Sequence, residues 1–130
     1  MFKKRQESPS GKFLNFELIK EENGIFFFEI IFPPETASPL NLVQGGMIDA
    51  ALDEATSMKA YIAFKEEKLP LTTDHHVLFH RPMSLDKATM QTKIIKYGKT
   101  VTTIEGKLFD QNEKLVATML HTALPTNIPK

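Results

Sequence analysis

The 130-residue chain carries 16 basic and 16 acidic side chains, 42% hydrophobic residues and no cysteine. That length suits one domain, because a second core would be too small to stabilise itself. A formal charge of zero argues against the basic face of most nucleic-acid binders, and the lack of cysteine removes disulfides, thiol nucleophiles and thiolate metal sites. No run approaches the roughly 18 apolar residues that cross a bilayer. The start, MFKKRQESPSGKF, has a basic patch with no apolar run behind it and does not read as a secretory signal. The expectation is a soluble cytoplasmic domain with neither membrane nor nucleic acid as a partner.

Residues 1–12 mix charge, Ser, Pro and Gly and are expected to form a flexible arm. FLNFELIK (13–20) reads as a strand, with Phe16 and Leu18 alternating against Asn15, Glu17 and Ile19. Glu22-Asn23-Gly24 is a hairpin turn, since Asn-Gly tolerates the positive φ that tight turns need. IFFFEIIF (25–32) is a second strand, apolar on both faces, and Pro33-Pro34 ends it. A connector without helical periodicity follows over 35–44. Gly45-Gly46 then opens the one convincing helix, 47–68, with alanine at 50, 51, 55, 60 and 63. Its middle is apolar on more than one side, the mark of a helix wrapped by a sheet. Charge gathers at its far end, in Lys65-Glu66-Glu67-Lys68.

Past Pro70 the pattern turns to period two: Thr73, His75, Val77 and Phe79 point one way, and Asp74, His76, Leu78 and His80 the other. Strand-length segments follow at 88–98, 99–111 and 114–124, and 125–130 reads as a disordered tail. The order describes an α+β domain over 13–124, an antiparallel sheet with one long helix.

The most informative segment runs from Asn41 to Asp53. Two glycines at a helix start leave backbone N–H groups uncovered at the positive end of the helix dipole, where they suit an oxygen that becomes negative. Asp53 follows Gly46 by seven residues, about two turns, and stays on the same side. Asp49, Asp53 and Ser57 form an i, i+4, i+8 polar stripe on an otherwise apolar helix. The competing reading is that the glycines permit close packing, while the aspartates are solvated or favour the helix N-terminus.

Gln44-Gly45-Gly46 followed by Asp53, the wider run VQGGMIDAALDEA, the strand TTDHHVLFHRP and the closing KIIKYGKTVTTIEGKLFDQNEKLVATMLHTA together resemble the hotdog-fold acyl-CoA thioesterases of the phenylacetic-acid-pathway type. The resemblance covers about residues 13–124. It implies a curved antiparallel sheet of five to six strands around a central helix. It also implies homodimers, assembled further as dimers of dimers (homotetramers), with active sites at the protomer interface. The substrate would be an acyl-CoA or aryl-CoA thioester, with no cofactor beyond the coenzyme A of the substrate.

By the same resemblance, the N–H at Gly45, next to Gly46, polarises the thioester carbonyl. Asp53 from the partner acts as general base on water or as nucleophile. Thr72 falls where relatives hold the hydrolytic water, and Ser57 matches a hydroxyl used that way in another branch. Gln44 replaces the His of many relatives. Ser38 stands where they carry an amide, leaving Asn41 as the nearest one. Asp49 stands where they have a small residue. Arg81, Lys96 and Lys99, around the turn glycine Gly98, are candidates for the coenzyme A phosphates. Met58, Tyr61, Ile62 and Phe64 are candidates for shaping the acyl pocket.

Two other function classes compete. Hotdog dehydratases use His before the glycine, where this chain has Gln44. Hydratases pair Asp with a His five residues on, where it has Met58. A non-catalytic acyl-CoA-binding module is the stronger alternative. No metal is expected, because His75 and His76 are adjacent on a strand and face opposite ways; His75 is expected on the sheet face beside the helix, near the site.

Overall fold

The computed structural model describes residues 9–129. Two α-helices, α1 (Pro9–Leu14) and α2 (Gly45–Ala63), accompany six strands: β1 (Phe16–Glu22), β2 (Ile25–Ile31), β3 (Lys68–Phe79), β4 (Lys87–Tyr97), β5 (Thr102–Phe109) and β6 (Leu115–Asn127). The strands form one antiparallel sheet in the order β1-β2-β4-β5-β6-β3. It curves around α2, the hotdog arrangement that the sequence leads one to expect. None of the described helices is long and apolar enough to cross a membrane.

Local chemistry explains the β1–β2 hairpin. Asn23 and Gly24 both take positive φ, 52° and 78°, so the turn's twist matches that of the strands, and Glu22 pairs with Ile25. Along β2 only one face is buried, with Phe26, Phe28 and Ile30 pointing to the helix. Phe27, on the other face, lies 5.0 Å beneath the Lys20 ammonium. The strand is therefore alternating rather than core-like on both sides.

Helix α2 buries residues all around its circumference, from Ile48 through Ala51, Leu52, Ala55 and Met58 to Ala60. It rests closely on β5 at Gly106, where a Cβ would lie 2.8 Å from Thr56 Cγ2 and 3.2 Å from Leu52 Cδ2. The helix ends earlier than the charge pattern indicates. Phe64 caps it, buried and edge-on to Tyr97 with centroids 5.8 Å apart. Lys65 and Glu66 then turn left-handed (φ 56° and 60°) and feed the chain into β3.

Four further expectations change. Residues 9–12, read as part of an arm, belong to α1, which buries Gly11 and Leu14 and hydrogen-bonds α2 through the Ser10 hydroxyl and the Glu54 carboxylate; residues 1–8 of that arm lie outside the described residues. Asn15, at φ 54°, separates α1 from β1, so the strand starts at Phe16 instead of Phe13. At the other end, Pro125, Thr126 and Asn127 continue β6 against Pro70, Leu69 and Lys68 in place of a disordered tail. β3 is an edge strand, where the missing N–H of Pro70 is tolerated.

The fourth change bears on the site. β3 and β6 shift register between Thr72 and Asp74, a β-bulge with Thr73 as the extra residue. Thr73 therefore points outward and bonds the Thr122 hydroxyl at 2.7 Å. Thr72 turns to the helix side and joins His75, whereas strict alternation pairs Thr73 with His75.

Candidate active site

The site has two halves on one helix. The first is the start of α2. Gln44 precedes it in extended conformation (φ −67°, ψ 138°) and its side chain caps none of the helix N–H groups. A Cβ on Gly46 would come within 2.9 Å of Gln44 Oε1, so glycine lets that carboxamide lie against the helix start. Gly45 faces the Phe79 ring, with space for ordinary contact at 3.5 Å. The preceding loop is tied down by Gln44 N–H to Thr36 O and Val43 N–H to Met83 O, both 2.8 Å. A cavity of about 450 Å³ opens here, lined among others by Ser38, Gln44, Gly45, Ile48, Phe79 and Arg81.

The second half lies two turns further along. Asp53 has a half-exposed side chain (42%) and accepts a hydrogen bond from Ser57 Oγ at 3.2 Å. His75, reaching over from β3, stands between two carboxylates: Nε2 is 3.2 Å from Asp53 Oδ1 and Nδ1 is 3.2 Å from Asp49 Oδ1. Both contacts have ion-pair distance without hydrogen-bond direction. Beside His75, with ring centroids 4.4 Å apart and planes near perpendicular, lies His121 of β6, fully buried. Its Nδ1 is 2.6 Å from Thr56 Oγ1 and its Nε2 is 2.9 Å from Thr72 Oγ1.

Asp53, His75 and His121 each bring one ligand atom within 4.8 Å of the others. The set fits a metal ion poorly, because both His121 nitrogens already serve threonine hydroxyls and ligation would dismantle one of those bonds. His76 and His80 take no part. His80 bonds Thr118 on the outer face at 2.9 Å.

The remaining sequence candidates divide. Arg81 lines the cavity, and Asn41 is exposed on the loop before α2, with φ 59°. Lys96 at the end of β4 and Lys99 on the β4–β5 turn are exposed, by the C-terminal end of α2 where Tyr97 meets Phe64. Gly98 there is obligatory, since a Cβ would lie 2.0 Å from Val101 O. Met58 is fully buried in the core and is not among the residues lining this cavity. Phe64 is buried as well, and Tyr61 and Ile62 are half-buried outside the cavity lining. Sequence reasoning missed His121 altogether. Only the strand register, which sets His75 opposite His121, could have revealed it.

Comparisons with known proteins agree with this architecture. A family model described as the thioesterase superfamily matches residues 40–117, which spans the cavity, α2 and β3 to β5. A candidate esterase of Saccharolobus solfataricus is 28% identical over 106 residues, covering 82% of this chain and 75% of that protein. Among solved structures, a thioesterase from Haemophilus influenzae superposes with TM-score 0.86 at 18% identity, covering 99% of this chain and 90% of that one. A phenylacetic acid degradation-related protein of Ralstonia eutropha gives 0.83 at 24%, covering 91% and 89%. A hypothetical thioesterase of Streptococcus pneumoniae, solved with coenzyme A, gives 0.82 at 14% over the whole of both chains.

Proposed function

The chain belongs to the thioesterase superfamily, and from that premise we propose that it hydrolyses an acyl-CoA or aryl-CoA thioester to the free acid and coenzyme A. The observation that carries the reading is the pairing, on one helix, of an uncapped Gly45-Gly46 start opening on a cavity with a half-exposed carboxylate at Asp53. The first supplies N–H donors to the carbonyl oxygen as it becomes an oxyanion. The second takes the proton of the attacking water, or attacks the carbonyl carbon itself. Where water attacks, collapse of the tetrahedral adduct breaks the C–S bond and releases the acid. Where Asp53 attacks, the same collapse leaves an Asp53–acyl anhydride that a water then hydrolyses. On both routes the departing thiolate takes up a proton.

Gly45 and Asp53 are eight residues apart, about 12 Å along a helix, while a single carbonyl group spans little more than 1 Å. One protomer cannot place both groups on one thioester. The site therefore joins Gly45 of one copy to Asp53 of another, in a homodimer built along the edge strand β3. The fold leaves β3 unpaired on its outer side among the described residues, and it exposes Leu71 and Leu78. The S. pneumoniae structure with coenzyme A supports the ligand class. Arg81 at the cavity, with Lys96 and Lys99, is assigned to the phosphates.

A thiol-release assay over short, medium, long and aromatic CoA esters tests the reading. Turnover of at least one class is expected. Asp53→Ala should lower kcat by roughly 10²–10⁴-fold with little change in melting temperature, since the side chain is half exposed. If no ester turns over while CoA esters still raise the melting temperature, the chain is an acyl-CoA-binding module instead.

A further inference from the structure

The helix-facing row of β6 is otherwise small or apolar: Ala117, Met119 and Ala123 are fully buried, and so is His121 among them. An imidazole in such a place is expensive unless both nitrogens find partners, and the partners here have a direction. Thr56 Oγ1 lies 2.7 Å from the Leu52 carbonyl oxygen, which can only accept. The single hydroxyl proton of Thr56 therefore lies on that bond. The 2.6 Å contact between Thr56 Oγ1 and His121 Nδ1 must then use a proton on the ring nitrogen. With Nδ1 protonated, neutral His121 offers a lone pair at Nε2, and the Thr72 hydroxyl, 2.9 Å away, donates to it. For a neutral imidazole the chain then runs one way: Thr72 O–H to His121 Nε2, His121 Nδ1–H to Thr56, Thr56 O–H to Leu52 O.

We propose that His121 is a positioning residue that fixes the Thr72 hydroxyl with its proton turned inward and its oxygen lone pairs turned out toward the reaction centre beside Asp53. Two independent features support this. The β3 bulge brings Thr72 round to the helix side; without the extra residue it would face away from His121. The ring that holds Thr72 also stands 3.9 Å from Asp53 Oδ1 and packs edge-on against His75, so hydroxyl and carboxylate share one rigid support. Thr72 itself is exposed, which leaves its outward lone pairs reachable by water. A Thr72 oriented in this way accepts a hydrogen bond from the water that Asp53 deprotonates, and does not donate one. The catalytic part of this inference rests on the thioesterase reading; the hydrogen-bond direction does not.

The two parts are tested separately. Long-range ¹H–¹⁵N correlation spectra of ¹⁵N-histidine-labelled protein at neutral pH should show His121 as the Nδ1–H tautomer with an unprotonated Nε2. Thr72→Val should shift the Nε2 resonance, and Thr56→Val, which keeps the shape but removes the hydroxyl, should release the tautomer preference. An Nε2–H tautomer or an imidazolium at His121 overturns the proposal whatever the enzyme does.

On any CoA ester that wild type turns over, Thr72→Val and His121→Phe should each lower kcat about 10- to 100-fold with KM within about twofold. The double variant should be no worse than the poorer single one, and Thr72→Ser should retain most of the rate. Additive losses, or an unimpaired folded His121→Phe, overturn the positioning role. Thr56→Val gives the same kinetic test if His121→Phe fails to fold. Absence of turnover by wild type overturns the thioesterase reading and the catalytic role together, while the spectra still decide the orientation.

Discussion

At the scale of single residues, the polar stripe along α2 has a partner at each step. Ser57 donates to Asp53, and His75 stands between Asp53 and Asp49. The stripe was readable from helical spacing, and strand alternation set His75 on the sheet face beside the helix; His121, which arrives from β6, was not readable. Lys59 shows the cost of such burial without a close counter-ion. It lies 3.9 Å over the Phe26 ring and 4.0 Å from Glu21 Oε2. Burial lowers its pKa below the ordinary 10.5, and Glu21 opposes the shift only in part. The unfolded chain then binds this proton more tightly than the folded one. Charged Lys59 detracts from stability below its folded pKa, and the penalty fades as pH rises toward 10.5. Lys59→Met should therefore melt about 2–4 °C higher than wild type near neutral pH, with the gain shrinking as pH approaches 10.5. Thermal melts across that range check it, and a lower-melting Met variant at pH 7 would mean that the Phe26 contact outweighs desolvation.

At the scale of elements, signals carried by adjacent residues were legible and those set by distant contacts were not. Asn23-Gly24 specifies its own hairpin, and Gly45-Gly46 marks the start of α2 by local chemistry alone. The end of α2 is different: Lys65 and Glu66 turn left-handed with no glycine to announce it, held by the docking of Phe64 on Tyr97. Helix α1, of sequence PSGKFL, contains both Pro and Gly and is too short to propagate unaided; burial of Leu14 in the core and the Ser10–Glu54 bond help to hold it. The bulge at Thr73 depends on pairing with β6, so alternation put the wrong threonine on the helix side. Helix and sheet meet closely at Gly106 of β5, under Thr56 and Leu52. Gly106→Val should lift α2 from the sheet and destabilise the fold by about 1–3 kcal/mol, with Gly106→Ala smaller in the same direction. Urea denaturation measures both, and an unchanged midpoint would show that the helix seats elsewhere.

At the scale of the whole molecule, the α+β class, the six strands and the central helix followed from element order and from the resemblance of VQGGMIDAALDEA and its flanks. The strand order did not, since it places β3 beside β6 at the far edge. That edge matters to the proposed function, in which the two halves of the site, separated along α2, are united by a second copy. Gly45→Pro isolates one half cleanly. Proline is favoured at the first helical position and deletes the N–H assigned to the carbonyl, and Gln44 already has the extended conformation that precedes proline. Asp53→Ala isolates the other half. Each variant alone should be inactive toward a CoA ester that wild type hydrolyses. The most direct measurement is thiol release after the two inactive variants are unfolded together in equal amounts and refolded. Random pairing then gives one intact site in mixed dimers, and roughly a quarter of wild-type activity should return. No recovery, with mixed dimers demonstrated by mass, would contradict a site shared between Gly45 and Asp53 of two chains.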